Sequence, residues 1–125
     1  MKHIPVIAIV DDDDGVRTSL TSLVRSLGYD VRSYGSAVAF LNDRDSDDPD
    51  CMISDIQMPQ LSGDELQDEL IATGRDFPMI FMTAFPTQST RDRVLAAGAC
   101  AFLDKPINGD VVARLLAAAV QSRRS

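Results

Sequence analysis

The chain has 125 residues, 45% of them hydrophobic, which is enough for one domain with a single core and leaves no room for a second. A net charge of -7 argues against direct binding of nucleic acid, because phosphate contacts need clustered lysine and arginine. No stretch approaches the roughly 20 apolar residues of a membrane span, and the N-terminus leads into a strand rather than a signal peptide, so we expect a cytoplasmic protein.

Five short apolar runs rich in β-branched residues alternate with five segments of helical spacing. The predicted strands are Val6–Val10, Asp30–Tyr34, Cys51–Ser54, Met79–Met82 and Ala101–Leu103. The predicted helices run from Asp13 or Asp14 to Gly28, from Ala37 to Asn42, from Gly63 or Asp64 to about Thr73, from Thr87 to Ala97 and from Ile107 to Gln121. This alternation predicts an α/β fold, a doubly wound parallel sheet with helices on both faces.

Histidine and cysteine offer little chemistry in this chain. His3 is the only histidine, and its place near the terminus argues against catalysis or metal binding. Cys51 and Cys100 form no CxxC pair, so we interpret both as small buried residues rather than zinc ligands. Lysine is also rare, since Lys105 is the only one besides Lys2. Candidate reactive groups are therefore mainly aspartates.

Polar residues stand at the ends of four predicted strands. Asp11 to Asp14 follow the first strand, Asp55 closes the third, Thr83 the fourth and Lys105 the fifth. Crossovers between parallel strands are right-handed, so these strand ends share one edge of the sheet, where such sheets bind ligands. Each feature alone has an ordinary explanation: a solvated acidic loop with a helix cap, a turn-capping carboxylate, a satisfied hydroxyl and a surface lysine. Together they predict one site.

The aspartates at this edge indicate a metal-assisted reaction. Three converging carboxylates repel one another and favour a hard divalent cation such as Mg2+. Lys105 can compensate charge beside it. This combination suits phosphoryl transfer, in which metal and cationic groups neutralise the transferred oxygens, and Asp55 is the best candidate nucleophile. The Lys105–Pro106 bond is a candidate cis peptide, although cis is the minority form.

Several motifs, in order and spanning roughly Val6 to Val120, resemble the receiver (CheY-like) domain of two-component response regulators. They are Val10-Asp11-Asp12-Asp13 followed by Arg17, Asp55-Ile56-Gln57-Met58-Pro59 with Ser62-Gly63, Met82-Thr83-Ala84, and Ala97-Gly98-Ala99 through Phe102-Leu103-Asp104-Lys105-Pro106. The resemblance implies a flavodoxin-like sheet in the order 2-1-3-4-5. It also implies phosphorylation by a sensor histidine kinase or a phosphotransfer protein, with self-dephosphorylation rather than turnover of a substrate.

The resemblance assigns a role to each residue at the edge. Asp55 matches the phosphoacceptor, Asp12 the direct ligand of Mg2+ or Mn2+, and Asp11 a ligand that usually acts through water. Asp55 and the backbone carbonyl of Gln57 complete the metal set. The residues that match phosphate contacts are Thr83, Ala84 and Lys105, and those that match the conformational switch are Thr83 and Phe102.

Three neighbouring residues lie outside these assignments. Asp13 and Asp14 exceed the required acid pair, and we assign them to capping and to the favourable field at a helix N-terminus. Phe85, two residues after Thr83, stands where polar side chains are frequent in the family. Together with Gln57, that position is thought to tune the lifetime of the acyl phosphate.

Two other functions compete with this interpretation. The segment Asp12-Asp13-Asp14-Gly15-Val16 also resembles the opening motif of haloacid dehalogenase-like phosphatases, with Asp12 and Asp14 as the working pair. Against it, the chain has no paired acidic motif after Lys105 and no cap segment, and Asp55 is left unexplained. The second alternative, a receiver-like module that is never phosphorylated, conflicts with retention of the whole residue set.

Some details resemble the receivers of LuxR-type transcription factors. They are the segment Asp-Ile-Gln-Met-Pro-Gln-Leu-Ser-Gly and the run from Ala97 to Pro106. We therefore expect residues 1–125 to form a single receiver domain, and the resemblance favours the N-terminal part of a longer regulator with a DNA-binding effector domain. Homodimerisation on phosphorylation is common in the family and is a further expectation.

Overall fold

Five parallel strands alternate with five helices in the computed structural model, which describes residues 3–124, with only the backbone of residues 123 and 124. The strands are β1 Val6–Val10, β2 Asp30–Tyr34, β3 Cys51–Asp55, β4 Met79–Thr83 and β5 Ala101–Asp104. The helices are α1 Asp14–Ser26, α2 Ala37–Asn42, α3 Gly63–Ala72, α4 Gln88–Ala96 and α5 Gly109–Arg124. The fold class predicted from the sequence is confirmed.

Capping residues explain where the helix starts differ from the prediction. The hydroxyl of Thr87 accepts a hydrogen bond from the Thr90 backbone N–H, so α4 begins one residue later than expected. The side chain of Asn108 accepts from the backbone N–H groups of Asp110 and Val111, so α5 begins after it rather than at residue 107. At their other ends, α1, α3 and α4 are followed within two residues by glycines with positive φ, a common helix stop: Gly28, Gly74 and Gly98.

The sheet has the order β2-β1-β3-β4-β5, as the resemblance implied. Every residue of β3 and β4 is buried, as expected for central strands covered on both faces. Alternate side chains of the strands enter two separate apolar layers. One layer includes residues of α2, α3 and α4, among them Phe40, Leu66 and Val94. The other includes residues of α1 and α5, among them Val24 and Leu116.

The two cysteines differ in burial, which corrects one prediction. Cys51 opens the central strand β3 and is fully buried, as expected. Cys100 is exposed, so the prediction that both cysteines are buried was wrong for this residue. It lies in the turn just before β5, which is an edge strand of the sheet and is covered less completely.

No helix in the described part of the chain combines the length and the apolar character needed to cross a bilayer.

Candidate acidic site at the carboxyl ends of the strands

The topology gathers the predicted site residues at one edge of the sheet. Asp11 follows β1 directly, while Asp55 and Thr83 are the last residues of β3 and β4. Lys105 follows β5, and its backbone N–H donates to the Thr83 carbonyl oxygen at 2.9 Å. Because β1, β3, β4 and β5 are consecutive neighbours in the sheet, residues far apart in sequence share one surface.

Three carboxylates form a compact cluster at this edge. Asp11, Asp12 and Asp55 each offer an oxygen, and these oxygens all lie within 4.8 Å of one another. Asp11 is fully buried, Asp55 is 5% exposed and Asp12 is exposed. Burial raises the pKa of Asp55, the Asp11 carboxylate raises it further, and Lys105 opposes the rise. An all-oxygen donor set with unbalanced negative charge fits a hard divalent cation.

Lys105 lies between the two buried carboxylates. Its Nζ is 3.0 Å from Oδ2 of Asp11 and 3.4 Å from Oδ2 of Asp55. Burial lowers the pKa of Lys105, but the hydrogen bond to Asp11 and the charge of Asp55 outweigh burial, so the net shift is upward. Its side chain is only 17% exposed, which excludes the surface-lysine alternative. The Lys105–Pro106 peptide bond that follows is cis.

The remaining aspartates of the acidic run start α1. The backbone N–H of Asp13 donates to Oδ1 of Asp11 at 2.8 Å, and Oδ1 of Asp13 accepts from the Val16 N–H at 3.1 Å as the helix cap. Asp14 is the first helical residue and forms an ion pair with Arg17. Neither Asp13 nor Asp14 belongs to the carboxylate cluster among the described residues. Both residues therefore lie at the start of α1, apart from the carboxylate cluster.

Arg17 supports the site in a way that the sequence did not reveal. Its Nη1 donates to the backbone oxygen of Asp11 at 2.7 Å, which fixes the peptide between the two predicted metal ligands. The sequence identified Arg17 only as part of a motif. A basic residue placed six positions after Asp11, on the first turns of the following helix, is the signal that could have indicated this contact.

The turn after Asp55 is compact because of Gly63. The Gly63 N–H donates to the Ile56 carbonyl oxygen at 2.8 Å. A Cβ atom added at Gly63 would lie 2.2 Å from the carbonyl oxygen of Asp55, a distance that real contacts do not reach. Ser62 and Glu65 form a capping box that starts α3 immediately beyond. This position therefore needs glycine for the close approach of α3 to the end of β3.

Thr83 is fully buried, and its hydroxyl forms hydrogen bonds with two neighbours. The hydroxyl donates to Oε1 of Gln57 and accepts from the Phe85 backbone N–H at 3.0 Å. The sequence assigned Gln57 a metal contact through its backbone carbonyl and a part in tuning the acyl-phosphate lifetime, but it did not predict this side-chain contact with Thr83. Phe85 is 73% exposed at the rim of the site. A cavity of about 380 Å3 is lined by Asp12, Asp13, Asp55, Gln57, Ala84, Phe85 and Lys105.

Phe102, the predicted switch aromatic, lies in the core below this edge. Its side chain is 8% exposed and belongs to the apolar layer on the α3 and α4 side. In the register of the sheet Phe102 pairs with Phe81, and Thr83 pairs with Asp104. Phe102 is thus two residues from the strand end at which the carboxylates and Lys105 meet.

Comparisons with known proteins agree with this arrangement. The family model described as the response regulator receiver domain matches residues 7–117. The chain is 42% identical over 101 residues to the response regulator protein TmoT of Ectopseudomonas mendocina, covering 81% of this chain and 46% of TmoT. It is 39% identical over 100 residues to the transcriptional regulatory protein FixJ of Azorhizobium caulinodans, covering 80% of this chain and 47% of FixJ.

A solved structure leads to the same grouping. The response regulator StyR has a TM-score of 0.89 at 34% identity, covering 98% of this chain and 62% of the StyR chain. The chain spans about half the length of TmoT and of FixJ.

Proposed function

Because the chain belongs to the family of response regulator receiver domains of two-component systems, we propose that it accepts a phosphoryl group on Asp55 from a sensor histidine kinase or a phosphotransfer protein. The observation that supports this proposal is the placement of Asp55, Lys105 and two further carboxylates together at one edge of the sheet. The transfer is the domain's own modification and its reversal, without turnover of an external substrate.

The chemistry is a displacement at phosphorus. An oxygen of ionised Asp55 attacks the phosphorus of a phosphohistidine, an O–P bond forms, the N–P bond breaks, and its electron pair returns to the imidazole. Lys105, 3.4 Å from Asp55, stabilises negative charge on the phosphoryl oxygens. The Thr83 hydroxyl and the Ala84 backbone N–H supply hydrogen-bond donors at the same edge.

The carboxylate cluster would hold Mg2+ or Mn2+. Asp12 and Asp55 would bind it directly, Asp11 through water, and the Gln57 backbone carbonyl would complete the protein ligands. The bound cation supplies charge neutralisation between the carboxylates and the phosphoryl oxygens. The fit rests on the oxygen-only donor set within 4.8 Å and on the raised pKa of Asp55, to which burial contributes most and the neighbouring Asp11 carboxylate next.

The donor protein would dock beside α1. A cavity of about 500 Å3 is lined by residues of α1 and of the β5–α5 loop, among them Leu20, Leu23 and Ile107, and it reaches Asp13 and Lys105 at the acidic site. A helix that carries the phosphohistidine could pack there and bring its ring to Asp55. Ser19→Arg, at the exposed rim, should abolish transfer from the kinase and preserve phosphorylation by a small donor. Equal loss of both would contradict this docking position.

Phosphorylation would change the output face. It would place about -1.5 to -2 units of charge at Asp55 in place of the single charge of the carboxylate, and movement of Thr83 and Phe102 would repack the surface of α4, β5 and α5. Since the chain spans about half of its relatives, we propose that it belongs to a longer cytoplasmic regulator with a DNA-binding effector domain of the LuxR type. Homodimerisation through the repacked face is the proposed readout.

The direct test uses a small phosphodonor with Mg2+ and intact-mass measurement. We expect a gain of one phosphate that Asp55→Asn abolishes. Either no gain or a gain that survives Asp55→Asn would contradict the assignment, and the absence of any gain would favour a receiver-like module that is never phosphorylated. The phosphatase alternative with Asp12 and Asp14 is not supported, because the family model and the relatives are receivers and response regulators.

A titration separates the metal ligands from the helix-start aspartates. Asp12→Ala should weaken Mg2+ binding far more than Asp14→Ala, because only Asp12 belongs to the cluster. Equal effects of the two substitutions would mean that the metal pair is wrongly placed.

A further inference from the structure

The side chain of Gln57 connects the ends of two strands. Its Oε1 accepts the hydrogen bond of the Thr83 hydroxyl, and its Nε2 lies 3.5 Å from the backbone oxygen of Phe85. The Phe85 N–H in turn donates to Oγ1 of Thr83 at 3.0 Å. These contacts form a closed set, called here the Gln57 bridge, consisting of the Gln57 carboxamide, the Thr83 hydroxyl and the Phe85 peptide groups.

The bridge competes with the proposed phosphoryl contact. A threonine hydroxyl has one proton to donate. While that proton is bonded to Gln57, it is not available to an oxygen of a phosphoryl group on Asp55. Thr83 must therefore break its bond to Gln57 before it can donate to the modified Asp55.

The two partners of this bond differ in their access to water. Thr83 is fully buried, so its hydroxyl has little access to solvent if Gln57 is removed. Gln57 is exposed, so its carboxamide can bond water once it is released. Removal of the Gln57 carboxamide should therefore destabilise the unmodified state more than the state in which Thr83 has a phosphoryl partner.

We propose that Gln57 is a positioning residue that retains the Thr83 hydroxyl in the unmodified domain and thereby weakens its response to a phosphoryl group. This inference rests on the proposed function, because it presupposes that Thr83 contacts the phosphoryl group. The Gln57 side chain acts only through Thr83. Its backbone carbonyl, the proposed metal ligand, is unaffected by a side-chain substitution.

The test measures the affinity for beryllofluoride, a noncovalent mimic of the phosphoryl group, by calorimetry in saturating Mg2+. Gln57→Met keeps the length of the side chain and removes both polar atoms. It should bind beryllofluoride about 2- to 10-fold more tightly than the wild type, the range expected for one net hydrogen bond. The matched control is Gln88→Met, an exposed glutamine of α4 whose carboxamide bonds Asp92, and its affinity should equal that of the wild type.

A double-mutant cycle distinguishes positioning from a structural effect. In a Thr83→Val background no hydroxyl remains to be retained, so adding Gln57→Met should leave the affinity unchanged. A purely structural role of Gln57 would give the same change in both backgrounds and would overturn the inference. Gln57→Leu serves as a second variant, should Gln57→Met fail to fold, and should give the same tightening.

The outcomes separate the inference from the proposed function. If the wild type binds no beryllofluoride with Mg2+, the proposed function fails and the inference fails with it. If the wild type binds and Gln57→Met binds equally or more weakly, the inference alone is overturned. Tighter binding by Gln57→Met that disappears in the Thr83→Val background supports both.

Discussion

The sheet has two edges formed by strand ends, the amino edge where the strands begin and the carboxyl edge where they end. These two edges differ in how well their charges are balanced. At the carboxyl edge, Asp11 and Asp55 are buried with the Lys105 ammonium between them, and the pKa of Asp55 is raised. At the amino edge, Arg75 lies over two aromatic rings, 4.9 Å from the centroid of Phe40 and 5.9 Å from that of Phe77. The same guanidinium is 2.7 Å from an oxygen of Asp48.

This difference separates what the fold needs from what the function needs. The amino edge pairs the opposite charges of Arg75 and Asp48, which stabilises the chain without a ligand. A hydrogen bond of 3.0 Å joins His3 and Asp50 at the same edge. The carboxyl edge accumulates like charge in the same scaffold, which costs stability until a bound cation compensates it. We therefore place the proposed reaction at the edge whose charges are less well balanced.

The largest expected effect comes from the backbone that supports the carboxyl edge. Gly63→Ala would place a Cβ 2.2 Å from the Asp55 carbonyl oxygen, and backbone atoms cannot yield as a flexible side chain does. We expect a loss of about 3 kcal/mol or more in the free energy of unfolding, measured by urea denaturation. The matched control is Gly109→Ala, where the new Cβ meets only Leu23 side-chain atoms, the nearest at 3.6 Å. Similar stability of both variants would contradict the close approach of α3.

Removal of the Arg75 guanidinium from the amino edge should destabilise the protein. Arg75→Met retains much of the apolar contact but deletes the charge that faces the rings of Phe40 and Phe77 and the Asp48 carboxylate. The expected loss is about 1 to 2 kcal/mol in the free energy of unfolding. Arg91→Met, at an exposed arginine of α4, should change it little. Beryllofluoride binding should stay unchanged in Arg75→Met, since the two edges lie at opposite ends of the strands.

The sequence predicted the carboxyl edge better than the amino edge, for a physical reason. Asp55, Thr83 and Lys105 stand at strand ends, and parallel topology alone brings strand ends together. The contacts of Gln57 and Arg75 depend on which way a long side chain turns from a loop. Neither periodicity nor a motif encodes that direction, so both contacts became visible only in the structure.

Burial was also predicted wrongly from the sequence for a residue next to β5, the outermost strand on one side of the sheet. Cys51 and Cys100 each precede apolar residues of a strand, and both were predicted to be buried. Only Cys51 lies in a central strand with layers on both faces, and burial raises its pKa to about 12. Cys100 precedes β5 and is exposed. The order of strands, rather than local hydrophobicity, decides this difference.

Removing a charge from the carboxyl edge should raise the free energy of unfolding, whereas removing one from the amino edge should lower it. Asp55→Asn should raise the free energy of unfolding by about 1 kcal/mol near neutral pH without divalent cations. The pKa of Asp55 is raised in the fold, so the penalty is absent below its ordinary value of 3.8 and develops as pH rises through the folded-state pKa. Urea denaturation with a chelator, with exposed Asp14→Asn as control, measures the difference. A destabilised Asp55→Asn would contradict the idea that this edge is short of positive charge.

The smallest expected effect concerns Glu65, whose pKa is lowered in the fold, whereas that of Asp55 is raised. The backbone N–H of Ser62 donates to Oε1 of Glu65 at 3.0 Å, and this bond, with that of the Ser62 hydroxyl, lowers the pKa of Glu65 from 4.5. The folded-state pKa lies below the ordinary value, so the capping contribution is complete above about pH 4.5 and is lost as pH falls through the lowered pKa. Glu65→Gln should therefore be slightly less stable than the wild type near neutral pH, and the two should converge in acid.

Asp55→Asn should instead be the more stable protein near neutral pH and also converge with the wild type in acid. Unfolding curves measured across this range without divalent cations test both signs, and a Glu65→Gln curve parallel to that of the wild type would show that the cap does not depend on the carboxylate charge.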